Sequence, residues 1–104
     1  MIITKTDIDN TITLALSGRL DSVTQSKLAD SLAEVFTSNP GNLVFNFSAL
    51  DYISSAGLRV LLTAQKKVNA SGNTMKIIGV KPDVKEIFEM TGFAGIMTIE
   101  LKVD

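Results

Sequence analysis

From Thr11 to Ser17 apolar and polar residues alternate strictly, with Ile12, Leu14 and Leu16 on one side. A period of two marks a strand with one buried face. Ile2 to Thr6 predicts a short strand before it. Asp9-Asn10 between the two supplies turn chemistry, so a hairpin is expected, with Gly18 ending its second strand. Then the period changes. Leu28, Leu32, Val35 and Phe36 stand at i, i+4, i+7 and i+8, the stripe of a helix facing a sheet. Ser22 followed by Gln25 has the form of a capping box for its start, and Asn39-Pro40-Gly41 supplies its stop.

Leu43-Val44-Phe45-Asn46-Phe47 is apolar on both sides except at Asn46, as expected of a central strand covered on both faces. A second helix is predicted from about Ser55 to Ala70, with Leu58, Leu61, Leu62 and Val68 inward and Arg59, Lys66 and Lys67 outward; Ser71-Gly72-Asn73 closes it. Met75 to Val80 reads as a strand. Pro82 suits the first turn of a third helix whose stripe is Val84, Ile87 and Phe88, and Gly92 suits its end. Met97 to Val103 alternates again, as a strand nearer the edge. The order is β-β-α-β-α-β-α-β, with no repeat, low-complexity segment or linker. It predicts an α/β fold over residues 1–104 as a single domain, with a mixed β-sheet made of a starting hairpin and later parallel strands.

Composition narrows the function. The 104 residues are 45% hydrophobic and 20% charged, enough for a real core. Ten Lys and Arg against eleven Asp and Glu give a formal charge of −1, which argues against nucleic acid as a partner. The absence of Cys excludes thiolate nucleophiles and thiolate metal sites. The absence of His removes the commonest general base and metal ligand. No metal site is expected. The N-terminus has no signal-peptide pattern, and no apolar run approaches the ~20 residues of a membrane span, so direct membrane insertion is not expected and a cytoplasmic location is. The four Met and five Phe fall in helix and strand phases that suit core filling.

The chemistry concentrates between Asn46 and Arg59, where a central strand leads into a helix beginning Ser54-Ser55-Ala56-Gly57. In open sheets functional groups collect beyond the carboxyl ends of strands. Either serine could simply cap the helix. Gly57 in the first turn costs about 1 kcal/mol relative to Ala, and Ala56-Gly57 would leave a bare backbone patch beside the hydroxyls, suited to close approach by another molecule. A phosphate placed there would meet unpaired amides and the positive end of the helix dipole. Asp21 has two readings, a plain cap for the first helix or part of this site.

Tyr52-Ile53-Ser54-Ser55-Ala56-Gly57-Leu58 resembles the signature of the anti-sigma-factor antagonists, the stand-alone STAS domains of bacterial partner-switching systems. Gly18-Arg19-Leu20-Asp21 resembles the Gly-x-Leu-Asp that follows their second strand, and Asn46-Phe47-Ser48 the polar strand end before the signature. The resemblance spans essentially the whole chain. It puts the phosphorylatable serine at Ser55 and implies a partner-binding surface of Asp21, Ser54, Ser55, Ala56, Gly57 and Arg59. Ser54 stands where the family usually has Asp, which makes it a competing acceptor.

The resemblance implies a module without enzymatic activity or a cofactor of its own. Unphosphorylated, it would dock on a serine-kinase anti-sigma factor; phosphorylation of Ser55 would release it, and a metal-dependent serine phosphatase would restore it. The same fold also resembles accessory subunits of lipid-transport assemblies and sensory scaffolds, which need no phospho-switch. An enzyme would use Ser55 as nucleophile, with a Lys, an Asp or the N-terminus as its base; Lys66, about 16 Å along the same helix at about 1.5 Å per residue, is out of reach, whereas Lys76 or Lys81 could approach from other elements.

Overall fold

Asp9 and Asn10 both take positive φ, 51° and 60°. Two such residues make a type I′ turn, whose twist matches the strands that it joins. The pairing therefore runs to the turn itself, Ile8 opposite Thr11, and β1 spans Ile2–Ile8, two residues beyond the expected Thr6. The strand β2, Thr11–Leu20, lies antiparallel to it. Gly18 does not end β2. At φ 103° it sits beside register shifts that let the strand bend and continue, carrying Leu20 into the core with no exposed surface.

The computed structural model describes residues 1–37 and 41–102; the expected helix stop at Asn39-Pro40 and the last residues of the final strand, from Val103, lie outside the described residues. Helix α1 is Gln25–Thr37, β3 is Asn42–Ile53, α2 is Ser55–Ala70, β4 is Met75–Val80, α3 is Pro82–Thr91 and β5 is Thr98–Leu101, with a 3-10 turn at Phe93–Gly95. The sheet order is β1-β2-β3-β4-β5, with every pair after the hairpin parallel. Pro82 opens α3 and Gly92 closes it at φ 81°, both as expected.

Two expectations about β3 fail. It does not stop at Phe47: Ala49, Leu50, Tyr52 and Ile53 pair with the prolonged β2, so the expected loop is strand up to the residue before Ser54. Nor is β3 covered on both faces. Leu43, Phe45, Phe47, Leu50 and Ile53 are buried, whereas Val44, Asn46 and Ser48 are only half-buried. The buried strand positions join one cluster with Leu28, Leu32 and Val35 of α1, Leu58, Leu61 and Val68 of α2, and Val84 and Phe88 of α3. The Phe47 and Phe88 rings, 6.4 Å apart, belong to it. Consecutive parallel strands joined by crossovers of one hand put all their helices on one side. Val44 owes its partial burial to neighbouring strands rather than to a second helical layer.

Smaller departures follow the same packing. Phe36, Leu62 and Ile87 lie at the rim of the core and are partly buried, and Met90 is 79% exposed rather than core. The last strand begins at Thr98, because Met97 turns into the core instead. The Ser22–Gln25 capping box does not form. The Asp21 carboxylate accepts from the amides of Val23 and Thr24, both at 3.0 Å, and the Gln25 amide donates to the Asp21 carbonyl, so Asp21 anchors the turn into α1.

Candidate functional site

The prolonged β2 and β3 end side by side. The Ser54 amide donates to the Leu20 carbonyl at 2.8 Å, which fixes the α2 start beside Asp21. Ser54 is extended, at φ −99° and ψ 172°, and its hydroxyl accepts from the Gly57 amide at 3.3 Å. It is the N-cap of α2, satisfying one of the four free amides of a helix start. Ser55 is the first helical residue and is exposed, and its hydroxyl makes no hydrogen bond among the described residues. One serine is spent on the fold. The other is free.

Gly57 is not the bare surface patch that the sequence suggests. It is buried, and a Cβ there would meet Leu20 Cγ at 2.7 Å and Ile53 Cγ1 at 3.2 Å. The glycine lets the first turn of α2 close on two core side chains, and a bulky replacement would strike the core before any partner. Ala56 is half-buried beside it.

The rim of the site is charged. The Arg19 guanidinium stacks 4.3 Å above the Tyr52 ring, and its Nε lies 3.8 Å from Asp21 Oδ2. The Thr24 hydroxyl ties this corner together, accepting from the Asp21 amide and donating to the Arg19 carbonyl. The Thr24 amide, then the Val23 amide and Arg19, hold the Asp21 carboxyl below its ordinary value of 3.8. Asp51 is likewise held low by the Lys81 ammonium, which donates to its carboxylate at 2.5 Å. Lys102 donates to the Ser48 carbonyl at 3.2 Å. Sequence reasoning missed Asp51 and Lys102, and it met Tyr52 only inside the signature and Lys81 only as a possible base, not as members of this rim. Their signal was positional, since each lies at or just beyond the end of a strand in the parallel part of the sheet.

Arg59 stands one turn beyond Ser55 on α2, exposed, and its guanidinium has no hydrogen bond, ion pair or ring contact among the described residues. The two lysines that could approach Ser55 from other elements are both paired. Lys76 pairs with Glu100 at 3.6 Å and Lys81 is held by Asp51. No cluster of three Asp or Glu that could hold a metal occurs among the described residues. The apolar groove between α1 and α2, about 220 Å³ in volume, is lined by Leu32, Ala33, Phe36, Val60 and Lys67 among others and includes none of the candidate residues.

The family model for the STAS domain matches residues 3–104. The chain belongs to the STAS domain family. Its relatives specify the branch: BtrV of Bordetella bronchiseptica, named as an anti-sigma factor antagonist, is 33% identical over 95% of this chain and 85% of its own. Among solved structures, an anti-sigma factor antagonist from Mycobacterium paratuberculosis superposes with a TM-score of 0.86 at 22% identity, covering 95% of this chain and 84% of that one. The Bacillus cell fate determinant SpoIIAA in its phosphorylated form gives 0.73 at 17% identity, over 94% and 90% of the two chains. In this STAS domain no helix among the described residues is long and apolar enough to cross a membrane.

Proposed function

We propose that this STAS domain is an anti-sigma-factor antagonist working by partner switching. Unphosphorylated, it docks on a serine-kinase anti-sigma factor through the surface around Ser55, Ala56, Arg59 and the Asp21–Arg19–Tyr52 rim. The kinase transfers the terminal phosphoryl of ATP to the Ser55 hydroxyl, whose proton is lost, and the complex dissolves. A metal-dependent serine phosphatase resets the module. One observation carries the assignment: Ser54 caps α2 while the adjacent Ser55 hydroxyl is exposed and unengaged among the described residues, so Ser55 can be modified without dismantling the helix start. The relative's name supports the same role, and the SpoIIAA fold is known in a phosphorylated form.

The test captures the partner from native lysate on immobilised protein, then incubates it with ATP and wild type, Ser54→Ala or Ser55→Ala. Phosphate is mapped by tandem mass spectrometry. Wild type and Ser54→Ala are expected to carry phosphate on residue 55, and Ser55→Ala to bind without being modified. Phosphate on Ser54 would overturn the register. No phosphate on either serine, with the partner still bound, would move the assignment to a scaffold or transport subunit.

A further inference from the structure

We infer that Arg59 is the intramolecular counter-cation of a phosphate on Ser55, an inference that rests on the phosphoserine reading above. Helix α2 begins at Ser55, so residue 59 lies four positions on and on the same face. Side chains on a helix lean toward its N-terminus, so a long side chain at position 59 covers the turn that holds residue 55. Arg59 is exposed, and its guanidinium has no partner among the described residues. The other cations of the rim are engaged. Arg19 lies against Tyr52 and Asp21, Lys81 holds Asp51, and Lys102 holds the Ser48 carbonyl.

A guanidinium is permanently charged, and its planar fork matches two phosphate oxygens at once. Modification of Ser55 therefore acts twice. It adds charge at the helix start, and it folds the Arg59 side chain back onto the phosphate, taking that cation away from a docked partner. Lys66, on the same helix but eleven residues from Ser55, lies too far along the axis to do either.

The test installs phosphoserine at position 55 during translation, with no kinase, and follows its second ionisation by phosphorus NMR in the full chain. A facing cation stabilises the dianion and lowers this pKa. Wild type is expected to titrate about half a unit or more below Arg59→Gln, with Arg59→Lys between them and the difference shrinking in about 1 M salt. Lys66→Gln should superpose on wild type. Identical curves for wild type and Arg59→Gln would overturn the inference, and so would an equal effect of Lys66→Gln, which would indicate only the general field of the surface. Because the phosphate is installed directly, a failure here leaves the kinase assay of Ser55 standing, and an unmodified Ser55 in that assay leaves this result standing.

Discussion

Ser54 and Ser55 are chemically alike, adjacent in the chain and opposite in role. The Ser54 hydroxyl satisfies the Gly57 amide, so Ser54→Ala should cost about 0.5–2 kcal/mol. Ser55→Ala removes a hydroxyl with no partner among the described residues and should stay within about 0.5 kcal/mol of wild type. Urea melts of the two variants decide it, and a larger loss from Ser55→Ala would exchange their roles. Gly57 gives a second prediction. Alanine is the better helix former by about 1 kcal/mol, but its Cβ would lie 2.7 Å from Leu20 Cγ, and Leu20 is fully buried. Overpacking of that kind costs about 1–3 kcal/mol, so Gly57→Ala should be net destabilising. In the Leu20→Ala background the same change should cost less, because the Leu20 atoms at 2.7 and 3.0 Å are gone and only Ile53 Cγ1 at 3.2 Å remains. A double-mutant cycle with no coupling would mean that the two do not meet. Beyond the start of α2 near Ser55, little of this was legible in the chain. Sequence offers Ser-Ser and an Ala-Gly beside it, but a shift of one residue in the helix start exchanges cap and free hydroxyl. Only the packing shows that the glycine faces inward.

At the scale of elements, the periodic segments were read correctly, and their ends only where local chemistry sets them. The α2 and β4 boundaries, the Pro82 start and the Gly92 stop follow from local chemistry, which sequence carries. The lengths of β2 and β3 do not, because each is prolonged by the other. Leu50 and Ile53 look like loop residues until Gly18 and Leu20 stand opposite them. The start of α1 failed for a related reason. Ser22 and Gln25 have capping-box spacing, yet Asp21 takes the amides one residue earlier, with Thr24 closing the turn. Those bonds favour the carboxylate, so the folded pKa of Asp21 lies below its ordinary 3.8. A depressed pKa contributes stability that is present above the unfolded value and lost as pH falls through the folded one. Asp21→Asn keeps an acceptor oxygen but cannot titrate. The stability difference between wild type and Asp21→Asn should therefore be level near pH 7 and shrink as pH drops below 3.8. Denaturant midpoints from pH 7 to 3 read it directly; a difference independent of pH would mean that the carboxylate charge contributes nothing to this turn.

The whole molecule separates what holds it together from what it shows to others. Helices α1, α2 and α3 pack on one face of the sheet, and the candidate site lies beyond the strand ends, outside the buried cluster. Sequence could not distinguish one covered face from two, since Val44 is as apolar as its buried neighbours and differs only in what stands over it. The separation predicts that variants fall into two groups. Leu61 is completely buried between α2 and the sheet, and Leu61→Ala should cost about 2–5 kcal/mol. Ser55→Asp places a charge in open water at the first residue of a helix, where a negative group is favoured by the dipole, so its melting midpoint should match or slightly exceed that of wild type. Its effect should appear only in the complex. A partner surface fitted to a neutral hydroxyl would have to desolvate the carboxylate and leave it unpaired, and a loss of affinity of at least about tenfold, about 1.4 kcal/mol, is expected. Calorimetric melting of Ser55→Asp and titration against the captured partner measure the two quantities on one sample. A lowered midpoint together with weakened binding would mean that charge at residue 55 acts by loosening the fold, whereas an unchanged midpoint with weakened binding is what a surface switch requires.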